Sequence, residues 1–182
     1  MNDFKGISAE FRDMEAREAR EWHAMEQRHA EGRANMVARA RATFEDTGVY
    51  RYLREQADCI EHEGYFCRYE RDVNVHRADV SIAFVAKHGE RIEDRSRFGH
   101  GFSGETNTHT LSIAADGDGA VRFETWNEFD RSARKTSTKA LSDLSLDDVE
   151  GAFRTFVREA FVDRKLHDDR KLSPRLTGAD LS

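Results

Sequence analysis

Apolar residues near the start of the chain fall on steps of three and four, or sums of such steps. They are Phe4, Ile7, Phe11, Met14, Trp22, Met25, Met36, Ala40 and Phe44. That is the period of one helix face. The residues between them are mostly Glu, Arg and Ala, which favour helix, and proline is absent. The stripe is narrow, like a coiled-coil seam, and Glu18, His29 and Gly32 interrupt it. One helix from Ser8, a reasonable N-cap, to Phe44 is about 55 Å long at roughly 1.5 Å per residue. The rest of the chain, folded as one globule, has a radius of gyration of about 14 Å. Such a helix overhangs its own domain, and an overhanging apolar stripe calls for a partner. The pattern therefore predicts a homodimer joined through Phe11, Met14, Trp22 and Met25. A break at Gly32 is the alternative, with two halves that fold back on each other and need no partner.

Asp46-Thr47-Gly48 interrupts the pattern, and Val49, Leu53, Ala57 and Ile60 then share a second helix face that Gly64 closes. From Tyr65 the period changes to two. Tyr65, Cys67, Tyr69, Val73 and Val75 alternate with charged or polar residues, then Ala78, Val80, Ile82, Phe84 and Ala86 do the same. Two antiparallel strands of about ten residues fit this pattern. Residues 88–107 break it, charged first and glycine-rich after. Alternation returns at Leu111, Ile113 and Ala115, turns at Asp116-Gly117-Asp118-Gly119, and continues through Val121, Phe123 and Thr125. The run 131–139 carries four positive charges and no negative ones, and its composition reads as loop. Ser145 then caps a last helix, with Asp148 at the capping-box position. Val149, Ala152, Phe153, Phe156, Val157, Ala160 and Phe161 give that helix the widest apolar face in the chain. After Leu166 the residues are polar and aperiodic.

The expected fold is α+β: a four-stranded antiparallel sheet of two hairpins, helices on one face and a protruding N-terminal helix. Residues 1–46 form the arm, 47–166 the domain and 167–182 a tail.

Composition narrows the function classes. A charged fraction of 35% against 38% hydrophobic residues suits a small core with a long charged helix attached. The formal charge of −6 argues against general attraction to nucleic acid or anionic lipid. Cys59 and Cys67 have neither metal nor disulfide-framework spacing and read as buried, reduced thiols. The first residues lack the basic and apolar regions of a secretory signal, and no apolar run approaches the roughly 20 residues of a membrane span. A soluble cytoplasmic protein is the simplest expectation. A secretion signal without those features stays open.

Candidate chemistry is thin. Residues 99–104 match G-x-G-x-x-G letter for letter, without the preceding strand and following helix that a dinucleotide site needs. Ser103 lacks the closing glycine of a nucleophile elbow. Glu26 and His29 have the i, i+3 spacing of carboxylate-bridged metal bundles, but no second such motif accompanies them. No catalytic residue, metal or cofactor is assigned. In two successive hairpins, the 88–107 and 131–139 loops leave the same end of the sheet. That placement brings Arg97 and His100 towards Arg131, Arg134 and Lys135 as a candidate anion site.

The expectation that follows is a non-catalytic adaptor or chaperone-like accessory protein, acting as an oligomer with a possible protein partner. A small enzyme or ligand-binding module with an anion site between the two loops is the alternative. A concave, charged pocket on the helix-free face of the sheet favours the second; a flat or edge-exposed surface favours the first.

Overall fold

A computed structural model describes residues 3–92, 107–129 and 134–172. Its elements are α1 (Asp3–Asp46), α2 (Val49–His62), β1 (Cys67–Arg71), β2 (Ala78–Phe84), β3 (His109–Ala115), β4 (Ala120–Asn127), β5 (Lys135–Ala140) and α3 (Leu146–Leu172). A single 3-10 turn, Leu141–Asp143, joins β5 to α3. The sheet is antiparallel throughout, in the order β1-β2-β3-β4-β5. The fold is α+β, with a long N-terminal helix and helices packed on one sheet face.

α1 runs unbroken through Gly32. It begins before Ser8, and at about 1.5 Å per residue it is on the order of 65 Å long. Its last turns enter the core: Val37, Ala40 and Phe44 are buried. Gly48, with φ +78°, turns the chain into α2. Gly64, with φ +85°, ends α2 in the left-handed conformation that glycine adopts without strain. A Cβ at Gly64 would sit 2.5 Å from the exposed His88 ring, which would have to move aside, so it is the positive φ that calls for glycine there.

The core lies between one face of the sheet and the helices. The register aligns Val80, Ile113 and Phe123 across three strands, and Ile82 with Leu111 in the next row. These five side chains are buried, and Phe156 meets Phe84 edge-on at 5.5 Å between ring centroids. Phe153 is buried beside Tyr52. Ser145 accepts a hydrogen bond from the Asp148 amide and donates its own amide to the Asp148 carboxylate, so the capping box forms as its spacing predicts.

Several expectations need correction. The sheet has five strands, not four. Part of the basic run read as a loop is β5, which pairs along β4 from Thr125–Lys135 to Ala120–Ala140. Charge hid it: backbone hydrogen bonds to β4 hold the strand, and its side chains remain almost entirely exposed. β1 ends at Arg71, because Asp72 turns the chain with φ +49° while its carboxylate accepts hydrogen bonds from the Tyr50 hydroxyl and the Asp79 amide. Val73 and Val75 follow in a turn and are exposed. Cys59 is exposed and Cys67 half-buried rather than both enclosed. α3 continues to Leu172, so residues 167–172 are helix rather than tail.

Candidate functional site

The free part of α1 carries a long row of exposed apolar residues. The β3–β4 turn reaches α1 at Arg33, where a Cβ on Gly117 would come within 3.3 Å of the Arg33 Cα. Before that point α1 stands clear of the domain, and nearly every described residue is exposed. Phe11, Met14, Trp22 and Met25 are 45–60% exposed, and Phe4 reaches 84%. Full burial of a large apolar side chain is worth about 1.5–3 kcal/mol, and side chains half in water forgo part of it. A row of such exposed side chains is larger than the single apolar residues that a protein surface ordinarily carries. Glu26 and His29 lie exposed on the same arm. Among the described residues no group of three or more His, Cys, Asp or Glu could hold a metal.

A second feature lies at the end of the sheet where both long connections leave. Phe84 pairs with His109, and His109 with Asn127, so the 85–108 and 128–134 connections share that end. Their roots touch: the Glu128 amide donates to the Thr108 carbonyl at 3.1 Å, and the His109 and Phe129 rings meet at 5.0 Å. Beneath them Arg164 of α3 donates to both oxygens of Glu90 and also to Asp168. Burial raises the Glu90 carboxyl, but the hydrogen bonds from Asn107 and Arg164 outweigh it and hold the group below its usual range. Burial, then the positive charges of Arg164 and His167, push His109 down to about 4. Neither His109 ring nitrogen has a hydrogen-bond partner. His109 is thus a neutral ring held in an apolar and cationic environment.

The third feature is a cleft of about 640 Å³ between β5 and α3. Its floor is Leu111, Phe123 and Phe156. It stays open because the β5 residues aligned with the core rows are polar: Lys135 opposite Thr125, Ser137 opposite Phe123, Lys139 opposite Val121. Two ion pairs bridge from β5 to α3, Lys135–Glu159 at 2.7 Å and Lys139–Asp148 at 2.6 Å. The outer edge of β5 carries no further strand among the described residues. On the opposite, helix-free face, Arg68, Glu70, Arg77, Asp79, Trp126 and Glu128 surround a smaller hollow of about 330 Å³. Its charges pair with one another, Arg77 with Asp79 at 2.9 Å and Arg68 with Glu70 at 3.3 Å.

Of the expected anion-site residues, Arg97, His100 and Arg131 lie outside the described residues. Arg134 pairs with Glu124 and stacks over Trp126, while Lys135 is held by Glu159. The sequence reading missed the β5–α3 cleft and the Arg164–Glu90 pair. The alternation Lys-Thr-Ser-Thr-Lys, with β-branched residues at every second position, was the available signal for β5. Nothing in the sequence signals a pair so far apart in the chain. No family model, curated protein or solved structure matches this chain. No helix among the described residues is long and apolar enough to cross a membrane.

Proposed function

We propose that this protein is a non-catalytic accessory protein, an adaptor or chaperone-like binder, that works as a homodimer joined through α1. The observation that carries the reading is the bare apolar row Phe11, Met14, Trp22, Met25 on a helix that stands clear of its own domain. A helix of that length gains little from its own domain, and isolated helices are marginal in water unless an apolar face is packed. A second copy supplies that packing. The open edge of β5 beside the β5–α3 cleft then offers an extended segment of a partner protein main-chain hydrogen bonds and an apolar pocket together. A cytoplasmic location suits the free thiol of Cys59.

The solution mass tests this. Wild-type protein at tens of micromolar is expected to be a dimer, as it would be for a modest interface of about −7 kcal/mol. A Phe11→Ser, Met14→Ser, Trp22→Ser, Met25→Ser variant is expected to be a folded monomer with an unchanged sheet signal. A wild-type monomer across that range overturns the reading.

A second reading, a ligand-binding module, draws on the charged hollow of the helix-free face. It is weaker, because the charges there already neutralise one another. Titration with phosphate, a nucleotide and a short oligonucleotide at low salt separates the two readings. Saturable binding that is lost in an Arg68→Ala, Arg77→Ala variant supports a site in this hollow, and binding lost in an Arg131→Ala, Arg134→Ala, Lys135→Ala variant supports the anion site between the 88–107 and 131–139 loops.

A further inference from the structure

We infer that the two copies of α1 pair antiparallel, overlapping from about residue 4 to residue 36; this rests on the dimer reading above. The seam positions 4, 7, 11, 14 and 18 recur eighteen residues later as 22, 25, 29, 32 and 36. That interval is about five turns at roughly 3.6 residues per turn, so the row runs straight along the helix without supercoiling. Its contents are unequal. The first set is Phe4, Ile7, Phe11, Met14 and Glu18; the second is Trp22, Met25, His29, Gly32 and Met36.

In a parallel, in-register pair each residue meets its own copy. Glu18 then faces Glu18 and Gly32 faces Gly32, which puts two like charges and a void in the seam. In the antiparallel pair each weak position meets a large apolar one: Gly32 faces Ile7, His29 faces Phe11, Glu18 faces the amphipathic Trp22. Met14 faces Met25 and Phe4 faces Met36.

The flanking charges favour the same arrangement. One side of the row carries Glu10, Arg17, Glu21 and Arg28; the other carries Glu15, Glu26 and Arg33. Parallel helices bring unlike flanks together at an offset of five residues. Glu10 then meets Glu15, Glu21 meets Glu26, and Arg28 meets Arg33, all of like sign. Antiparallel helices bring each flank against its own counterpart. Glu10 then meets Arg28, and Arg17 meets Glu21, twice each by symmetry, against one repeated like-sign contact, Glu15 with Glu26.

The domain boundary fits this overlap. Met36, Arg39 and Thr43 line a hollow of about 210 Å³ with Gly119, Leu141 and Ser142, where the seam runs into the domain. The partner's N-terminal end arrives at that point. The free arm is then used over its whole length, and the two domains sit at opposite ends of the rod.

Charge reversal separates the orientations by sign. Glu10→Arg turns an attractive contact repulsive in the antiparallel pair, and a repulsive one attractive in the parallel pair. Arg28→Glu does the same. Each single variant is expected to weaken dimerisation about 5- to 20-fold at low salt, and the double variant to restore it. Cross-linking gives an independent readout in a Cys59→Ser, Cys67→Ser background. Met14→Cys and Met25→Cys chains, mixed and oxidised, are expected to form a disulfide only between the two different chains. Self-linking of each variant, or tighter dimers from either single charge reversal, overturns the antiparallel pairing and leaves the dimer reading intact. A protein that stays monomeric in every case overturns both.

Discussion

Arg164 donates two hydrogen bonds to Glu90, of 2.8 and 2.7 Å, across a gap of 74 residues in the chain. The Arg164 side chain is only 8% exposed, so this pair ties the root of the β2–β3 connection to α3 from within. Removing Arg164 leaves the part-buried Glu90 charge with only Lys87 and Asn107 as partners among the described residues. Arg164→Met is expected to cost about 3 kcal/mol, towards the lower end for a buried pair because Glu90 keeps some contact with water. Urea unfolding of the variant beside wild type measures it. A loss below about 1 kcal/mol would show that the pair is solvated and contributes as little as a surface bridge.

His109 makes stability depend on pH in a window set by its own environment. Its folded value of about 4 lies below the 6.5 of an unperturbed ring. Above that ordinary value both states are neutral and the full stability is present. As pH falls through it, the unfolded chain takes a proton that the folded one refuses, and stability drops until the folded value is reached. Each tenfold difference in proton affinity between the two states is worth about 1.4 kcal/mol, so roughly 2–3 kcal/mol is lost between about pH 6.5 and 4.5. His109→Leu removes the ring and should flatten that part of the profile. An unchanged slope in the variant would assign the loss to other groups.

Phe156 and Phe153 close the core from α3. Truncating either to Ala should cost about 3–5 kcal/mol, as for other buried Phe residues. Calorimetry or denaturant unfolding reads this directly. Phe156 is expected to be the costlier of the two, because its ring packs on Phe84 of the central sheet while Phe153 leans on Tyr52.

Ser145 starts α3 by accepting from the Asp148 amide. Ser145→Ala should cost about 1 kcal/mol, and Ser145→Asp should retain most of the stability, since both side chains with an oxygen can cap. Equal losses in the two variants would mean that the cap contributes little and that packing of the apolar face holds the helix alone.

Periodicity carries information about which face of an element is buried, and it served where burial decides the structure. The helix of residues 4–44, the alternation of Val80–Ile82–Phe84 and Val121–Phe123, and the capping box at Ser145 could all be read from spacing, as could the α+β class. Even the shared exit of the two long connections followed from hairpin geometry alone. Elements held by the backbone were beyond that reach. β5 is a strand because β4 offers it a row of hydrogen-bonding partners, and its lysines and threonines say little about burial. β1 stops at Arg71 because Asp72 binds groups from α2 and β2, a three-way contact that no local pattern encodes.

By itself the sequence determined that residues 4–44 carry an apolar row along one helix face, since the steps of three and four depend only on residue order. Tertiary structure alone decided that the row is bare. Continuity through Gly32 and the landing of the β3–β4 turn at Arg33 keep the row from folding back. Tertiary structure also placed the cleft. It arises where a polar edge strand lies beside an apolar helix, and the ion pairs Lys135–Glu159 and Lys139–Asp148 bridge the two. Such a gap depends on register between distant segments, and register is set by pairing rather than by composition.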